Sequence, residues 1–352
     1  MPDKIIAQYK QFIKRRYWFI AIGFLLLVAL SVFALVSGSS EIGIDKVWQL
    51  MIGQADPFAE RIIMSIRLPR VIGAMLAGTA LAVSGAVVQS LLRNPLASPF
   101  TLGISGASAF GAAFAIIVLG AGSNYTGSND MVNITNPYIV TISAFLWSLL
   151  SVIVILALSK LKGAGPEVII LSGIIISSLF GAGISAMQYF ADTIQLASIV
   201  FWTFGDMGRA TWSQVIILAV VCIPVLVYFL YQNWNYKSLH SGDEYAKSLG
   251  VNVTRVRLGG MLAATLLTAV VVSFFGVIAF IGLVVPHIVR RLVKADEHFV
   301  IPASALFGGI FLLLSDTLAR TVIAPVVLPV GILTSFIGAP LFLFLLIKGM
   351  KR

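Results

Sequence analysis

The chain has 352 residues, of which 59% are hydrophobic and only 11% are charged, and its formal net charge is +10. A soluble globular domain has roughly 25% charged residues, so this composition excludes a soluble fold. The cations form no basic run interleaved with aromatic residues, so the charge predicts membrane topology and no nucleic-acid partner. With one cysteine, Cys222, and three histidines far apart, we expect neither an intrachain disulfide nor a Cys/His metal site.

Apolar segments recur along the whole chain, and about ten of them can cross a bilayer, which takes about 20 residues per helix. The first is too long for the core of a signal peptide and predicts an uncleaved span. The predicted spans are 17–36, 71–92, 100–119, 137–158, 168–190, 214–231, 258–275, 276–293, 301–318 and 332–347. Because 258–293 is too long for one crossing, we expect it to break near 273–276. The piece 196–204 is too short to cross and is expected at the outer mouth.

Ten spans place both termini on one side of the membrane, together with all but six of the 24 cations. The six exceptions are Lys46, Arg61, Arg67, Arg70, Arg209 and Arg320. The positive-inside rule then makes both termini cytoplasmic. The predicted fold class is an all-α integral membrane protein, a bundle of about ten helices that forms one transmembrane domain over residues 1–352 and contacts membrane lipid.

The longest strongly polar interruption is 237–257, which lies between spans six and seven on the cytoplasmic side. Within it, Asp243 to Leu249 predicts a short helix, because acidic residues come first and Lys247 stands four residues after Asp243. Gly250 follows as a stop signal. A short cytoplasmic helix between two spans gives a soluble partner a surface to move, so we expect 237–257 to be a coupling segment.

Small residues recur at every fourth position in three spans. The rows are Ala74, Gly78, Ala82 and Ala86; Gly103, Ala107, Gly111 and Ala115; and Gly173, Ser177, Gly181 and Ser185. Small residues let helix backbones approach closely in lipid. Two interpretations stay open: a compact bundle without moving parts explains each row, and the Ser- and Gly-rich fifth span also suits the wall of a pathway.

The sequence contains no P-loop and no pair of carboxylates within a span. Asp316 alone falls within a span, where Arg320 can neutralise it. Transporters driven by protons or sodium usually need ionisable groups at mid-membrane, so we expect the energy to come from elsewhere. A secondary transporter or channel is the main alternative. A membrane-embedded enzyme ranks third, because no catalytic dyad or cofactor motif is visible.

Two motifs at span ends each allow two interpretations. Asn94-Pro-Leu-Ala-Ser-Pro99 lies at the cytoplasmic end, where its prolines predict either a rigid connection or a constriction at the inner mouth. Arg67-Leu-Pro-Arg70 lies at the outer end. These arginines are either interfacial anchors or, with Arg320, contacts for the carboxylates of a soluble ligand carrier.

Several blocks, separated but in the right order, resemble the FecCD-type permeases, which are membrane subunits of type II ABC importers for ferric siderophores, haem and cobalamin. The blocks are Arg67-Leu-Pro-Arg70, Gly85-Ala-Val-Val-Gln89, Asn94-Pro-Leu-Ala97, Gly103-Ile-Ser-Gly106, Ala246-Lys-Ser-Leu-Gly-Val251, the run from Gly276 to His287, Asp316 with Arg320, and Leu328-Pro-Val-Gly331 through Gly338-Ala-Pro340. The resemblance covers nearly the whole chain after the first helix.

The resemblance implies a permease that forms a homodimer, or a heterodimer with a close paralogue, with its pathway at the two-fold axis. It implies two cytoplasmic ABC ATPase subunits, an extracytoplasmic binding protein, and a location in the cytoplasmic membrane of a prokaryote. The chain would be non-catalytic and hold no cofactor or metal, since the ATPase binds ATP and Mg²⁺. Its substrate would be a metal chelate, first a ferric siderophore, with haem, cobalamin or molybdate as alternatives.

The resemblance also implies residue roles by position. The ATPase-coupling residues would be Asp243, Glu244, Ala246, Lys247, Leu249, Gly250 and Val251. The inner gate would contain Asn94 and Leu96, and binding-protein docking would use Arg67, Arg70 and Arg320. The translocation path would include Ser177, Ser185, Gln188 and Thr334. Asp206 and Arg209 have no clear counterpart, and we expect this charged pair at the substrate mouth.

Overall fold

The computed structural model describes residues 2–38, 43–54, 56–121, 136–161, 165–293 and 296–350, and this part of the chain contains helices and no strand. The helices are α1 (Pro2–Val36), α2 (Ile44–Met51), α3 (Pro57–Ile62), α4 (Leu68–Leu92), α5 (Ile104–Ile117), α6 (Pro137–Leu161), α7 (Pro166–Phe190), α8 (Thr193–Thr203), α9 (Trp212–Tyr231), α10 (Asn233–His240), α11 (Asp243–Ser248), α12 (Val253–Phe275), α13 (Ile281–Val293), α14 (Glu297–Thr321) and α15 (Val330–Met350). A π-helical turn, Ile63–Arg67, joins α3 to α4.

Seven helices in the described ranges are long and apolar enough to cross a membrane, so the chain is a multi-pass membrane protein. They correspond to seven of the ten predicted spans. The other three predicted spans fall on α5, α13 and α15. Of these, α5 has 14 residues and α13 has 13. The expectation of ten crossings is therefore supported for seven helices, and the full count stays a prediction.

Helix α4 is the central helix of the bundle and packs against α9, α12, α13 and α14. Glycine residues allow the neighbouring helices to approach α4 closely. A Cβ atom at Gly78 would overlap the backbone of Gly308 in α14, and one at Gly85 would overlap the backbone of Gly282 in α13. Helices in lipid gain little from hydrophobicity against one another, so close backbone contact supplies the packing energy instead. The first row of small residues therefore builds the core.

The other two rows differ from each other. Gly111 in α5 lies against α6, where the hydroxyl of Ser143 donates to its carbonyl oxygen at 2.6 Å. In α7, Gly173 lies against the backbone of Thr101 and Leu102, but no heavy atom lies within 4 Å of a Cβ built at Gly181. The second row thus packs two helices, whereas the third row leaves the packed interior as α7 proceeds.

The long apolar stretch 258–293 breaks where the sequence predicts. α12 ends at Phe275, and its C-cap Gly276 has φ 76, a conformation that favours glycine. The chain is non-helical from 276 to 280 before α13 begins. Two other segments lie against this break: the amide of Asp206 donates to the carbonyl of Phe275 at 2.8 Å, and a Cβ atom at Gly331, at the start of α15, would overlap the carbonyl oxygen of Val277. The amide of Gly331 also donates to the carbonyl of Gly205 at 3.2 Å, which joins these two segments.

The described charged side chains gather at the two ends of the bundle. At one end, which we call the α11 end, Asp296 before α14 pairs with Arg16 of α1 at 2.6 Å and lies 3.9 Å from Lys237 of α10. At the opposite end, Arg67 and Arg70 of the α3–α4 helix meet the C-terminal turns of α1 and α14. Helices α4 and α14 run between the two ends.

Candidate coupling, gate and arginine sites

Helix α11 forms as the sequence predicts, one residue shorter at its C-terminus. Asp243 and Glu244 occupy its first turn, where acidic side chains interact favourably with the helix dipole, and Lys247 occupies the last. Gly250 follows with φ 80. Ala246 is fully buried, whereas Tyr245 is 53% and Leu249 is 57% exposed. The helix therefore buries one small residue, Ala246, and presents two large apolar side chains outward.

The charges of α11 pair differently from the expected arrangement. Lys247 pairs with Glu244 at 2.8 Å, not with Asp243, and this hydrogen bond raises the pKa of the lysine. Asp243 instead turns inward to Arg257 and Arg93. Val251 is partly buried and packs against the hydrophobic core. Within the predicted coupling set, the exposed residues are thus Glu244, Lys247, Leu249 and Gly250.

The predicted inner-gate residues, Asn94 and Leu96, lie in the connection between α4 and α5, residues 93–103, which we call the gate segment. Leu96 is 46% exposed, and its amide donates to the side chain of Asn94 at 2.9 Å. Ser98 and Thr101 then form a capping box for the short 3-10 helix Pro99–Leu102. Local hydrogen bonds therefore fix the backbone while Leu96 projects from it.

A cavity of about 370 Å³ lies between the gate segment and α7. Its lining residues are Asn94, Leu96, Ala97, Thr101, Ile170, Ile174, Ser177 and Ser178. The structure therefore brings together Asn94 and Leu96, predicted for the gate, with Ser177, predicted for the path. The hydroxyl of Ser177 donates to the carbonyl of Gly173 at 2.7 Å, so the serine is held by its own helix.

At the opposite end, Arg70 and Arg320 share the carboxylate of Asp316. Arg70 donates from Nη2 and Nε to its two oxygens at 2.8 and 3.0 Å. Arg320 Nε lies 3.3 Å from the second oxygen, and its terminal nitrogens donate to the carbonyls of Ser37 and Ala34. Asp316 has no exposed surface, so this cluster is a buried charge network in which a carboxylate is matched by two guanidinium groups.

Arg67 also bonds within the chain. It is 4% exposed and donates to the carbonyls of Leu35 and Val36, the last residues of α1, at 2.6 and 2.7 Å. These carbonyls have no partner within their own helix, so the guanidinium satisfies the end of α1. Of the three arginines predicted to dock a binding protein, Arg67 and Arg320 are therefore buried and the side chain of Arg70 is 12% exposed. All three hold helix ends together. In this conformation they do not form an exposed basic surface.

Asp206 and Arg209 flank a short 3-10 turn after α8. Asp206 accepts from the amide of Gly208 at 2.7 Å and lies 3.8 Å from Arg70. Arg209 donates to the carbonyl of Phe201 at 2.9 Å, and burial lowers its pKa. The two residues lie at the same end as the arginine cluster, half-buried and engaged with backbone, and their role at a substrate mouth stays a prediction.

The remaining predicted path residues occupy different environments. Ser185 is exposed on α7, with its hydroxyl donating to the carbonyl of Gly181, and Gln188 is half-buried one turn further on. Thr334 has no exposed surface, and its hydroxyl donates to Gly331 in its own helix at 3.1 Å. The path assignment of Thr334 therefore finds no support in this conformation.

Sequence reasoning missed the partners of Asp243, which is partly exposed, and of Glu297, which is buried. Arg257 binds Asp243 from 14 residues away, and Arg290 binds Glu297 while also donating to Ser90 of α4 at 2.6 Å. Only the near-complete burial of Arg257 and Glu297 reveals that these charges are structural. In the sequence, a cation in a polar segment indicates only topology. No local pattern therefore distinguishes an arginine that pairs inside the protein from one that is exposed.

Within the described ranges, no group of three or more His, Cys, Asp and Glu side chains could hold a metal ion. His287 lies on α13 beside the ring of Phe342, and Cys222 is buried in α9. The sites of the described chain are therefore an exposed helix at one end, a cavity lined by the gate segment and α7, and a charge network at the other end.

Comparison with known proteins identifies this arrangement. The model of the FecCD transport family matches residues 26–348. A protein of Methanocaldococcus jannaschii that carries the name of an ABC transporter permease is 52% identical over 99% of both chains. A hemin transport permease of Yersinia pestis is 36% identical over 94% of this chain and 96% of that protein. A vitamin B12 import permease of Vibrio vulnificus is 32% identical, with 92% and 94% covered.

A solved structure agrees with the sequence relatives. It is described as an inward-facing conformation of a metal-chelate type ABC transporter, and it matches with a TM-score of 0.80 and 32% identity over 94% of this chain and 99% of that one. The all-helical fold and the helices long enough to cross a membrane are those of a multi-pass permease of the cytoplasmic membrane. The chain therefore belongs to the FecCD transport family, as a permease subunit of a type II ABC importer.

Proposed function

We propose that this chain imports a metal chelate, and that a ferric siderophore is its cargo. Support for the chelate class comes from the metal-chelate type transporter of known structure and from the hemin and vitamin B12 permeases among the relatives. The hemin and vitamin B12 permeases are named for different ligands but are similarly identical to this chain, so sequence identity alone does not select one ligand within the class. Uptake assays with a ferric siderophore, hemin, cobalamin and molybdate decide among them.

The single observation that carries the mechanism is the exposure of α11. Tyr245 and Leu249 project from a helix whose other side is buried against α10 and α12. Two large apolar side chains on an otherwise polar cytoplasmic loop are typical of a surface covered by a partner protein. We assign that partner as a separate ABC ATPase subunit, which binds ATP and Mg²⁺, so this chain needs no cofactor of its own.

A second copy of the chain covers α7 in this proposal. Ser178, Gly181 and Ser185 are exposed on one side of this helix, although it is apolar enough to cross a membrane. Hydroxyl groups facing lipid are disfavoured, whereas the same groups suit a helix–helix interface or a water-filled path. The two-fold axis of the dimer then lies beside α7, and the cavity between α7 and the gate segment opens toward it.

The binding protein docks at the opposite end in this scheme. Because Arg67, Arg70 and Arg320 bond within the chain and are buried or nearly so, we assign them to hold the ends of α1, α4 and α14 in the shape that the binding protein meets. Direct contact with its carboxylates would need a different conformation. Both termini and α11 are then cytoplasmic, as the distribution of cations predicts.

The proposed cycle follows from linkage between the two soluble partners. ATP binding brings the ATPase subunits together and moves the two α11 helices, and the packed bundles then change between outward and inward openings. The chelate needs only a wide, weakly binding path, since the binding protein supplies the affinity.

Truncation of Leu249 tests this function. The complex is reconstituted in vesicles with its ATPase and binding protein, and uptake of a ferric siderophore is measured beside ATP hydrolysis. We expect the Leu249→Ala complex to hydrolyse ATP with strongly reduced uptake and an unchanged melting temperature, because Leu249 is 57% exposed and its truncation removes little buried surface. Leu161→Ala, an 81% exposed leucine at the end of α6, is the matched control. Fully coupled uptake in Leu249→Ala would contradict the assignment of α11.

A further inference from the structure

The first residue of α11 is fastened to the last turn of α4. Asp243 accepts two hydrogen bonds from Nη2 of Arg257, at 2.8 and 3.0 Å. The side chain of Arg257 is 3% exposed, and its Nε donates to the carbonyl of Leu91 at 3.2 Å. One buried guanidinium therefore joins the coupling helix, the start of α12 and the C-terminal turn of α4.

A second cation extends this contact into the gate segment. Arg93 follows the last residue of α4 in the left-handed conformation, with φ 48, and its Nη2 lies 3.4 Å from Asp243. The next residue, Asn94, donates its amide to the carbonyl of Gln89 at 3.1 Å and holds the amide of Leu96 with its side chain. The carboxylate of Asp243 is thus one ion pair away from the backbone that positions Leu96.

We propose that Asp243, Arg93 and Arg257 form a positioning relay that transmits displacement of the coupling helix to the gate segment, an inference that rests on the proposed function. The two hydrogen bonds from Arg257 to Asp243 are charge-assisted, and such bonds are about twice as strong as neutral ones, so they hold α11 to α4 more firmly than ordinary surface packing does. The ion pair between Arg93 and Asp243, at 3.4 Å, then links α11 to the gate segment. The relay residues touch neither cargo nor nucleotide. They act through the position of Leu96.

The alternative role for these residues is purely structural. Arg257 is buried, so its replacement would disturb folding and would not distinguish a relay from a structural role. Arg93 is 39% exposed, and the loss of its ion pair leaves the buried contacts of Arg257 in place. Replacement of Arg93 therefore distinguishes a relay from a structural contact, and Asp243→Asn is the second variant.

The experiment reports on the gate directly. Leu96→Cys is introduced into a Cys222→Ala background, and the chain is purified in nanodiscs with its ATPase subunit. The rate at which a water-soluble maleimide modifies the cysteine is measured with and without Mg-ATP. Arg93→Gln and Asp243→Asn are compared with the conservative variant Arg93→Lys and with Lys160→Gln, which removes an exposed cation at the end of α6.

We expect the nucleotide-dependent change in rate to persist in Arg93→Lys and Lys160→Gln and to be lost in Arg93→Gln and Asp243→Asn, with ATPase association and melting temperature unchanged in Arg93→Gln. A full nucleotide response in Arg93→Gln overturns the relay and leaves the proposed function intact. Equal loss in Lys160→Gln also overturns it, because the effect is then one of general charge. No response in the parent complex overturns the proposed gate mechanism and the relay together.

Discussion

Arg70 donates hydrogen bonds of 2.8 and 3.0 Å to the two oxygens of Asp316, a carboxylate that lies 246 residues further along the chain and has no exposed surface. This pair joins α4 to α14, and Arg320 closes the cluster from one turn beyond Asp316. A buried carboxylate that balances two cations cannot be removed without leaving charge in a low-dielectric interior. The cluster therefore fixes the geometry of the end where the binding protein is proposed to dock.

Neutralisation of Asp316 should destabilise the protein strongly. We expect Asp316→Asn to lower the free energy of unfolding by about 3–5 kcal/mol, because the guanidinium groups of Arg70 and Arg320 lose their shared counter-ion while they stay buried. The measurement is thermal unfolding of the detergent-solubilised chain. Asp56→Asn, an exposed aspartate before α3, serves as the matched control. Equal melting temperatures for the two variants would contradict the structural role of the cluster.

A single methyl group should be poorly tolerated at the centre of the bundle. We expect Gly78→Ala and Gly85→Ala each to cost about 1–3 kcal/mol or to reduce folded yield, because the new Cβ would overlap the backbone of α14 or α13. Gly106→Ala in α5 is the control, since its Cβ would meet its nearest neighbour at an ordinary 3.7 Å. The check is the folded yield and melting temperature of the three variants. A larger loss of folded yield or melting temperature in Gly106→Ala than in the other two variants would contradict the close packing of α4 against α13 and α14.

The gate segment should be reachable from the cytoplasm only. In a Cys222→Ala background, we expect a membrane-impermeant thiol reagent to label Leu96→Cys in inverted vesicles and not in right-side-out vesicles. Ala97→Cys should react slowly from either side, because residue 97 is 2% exposed. Labelling is read by mass shift. Reaction of Leu96→Cys from the outside alone would reverse the proposed topology.

The exposed side of α7 should lie close to its counterpart in the second copy of the chain. We expect Ser185→Cys to form a covalent dimer with a short bismaleimide in membranes, since Ser185 is exposed on the helix that we place at the two-fold axis. Leu146→Cys, on the exposed side of α6, should remain monomeric. Gel electrophoresis separates the two species. Cross-linking through Leu146 and not through Ser185 would place the dimer interface elsewhere.

Local signals in the sequence predicted several elements of the site. The acids at 243 and 244 and the glycine at 250 define α11 to within one residue, and Gly276 ends α12 where the break was expected. Lys247 stands four residues after Asp243 but pairs with Glu244, because residues three and four apart are both neighbours on a helix and only the rotamers select one. Arg67, Arg70 and Arg320 were expected on a docking surface, and pattern alone gave no sign of their burial.

The sequence by itself determined the membrane class, the positions of the seven long helices, the short helix α11 and the family, because hydrophobic length and helix start and stop signals are local properties of the chain. Tertiary structure alone decided which charges pair, which serines are exposed and which predicted residues share a cavity. Asp316 pairs with Arg70, and Leu96 lines the same cavity as Ser177, only once α4, α7 and α14 have packed. The physical reason is that hydrophobicity alone selects no neighbour for an apolar helix in lipid. Small residues that allow close packing, together with buried ion pairs, determine which helices pack together.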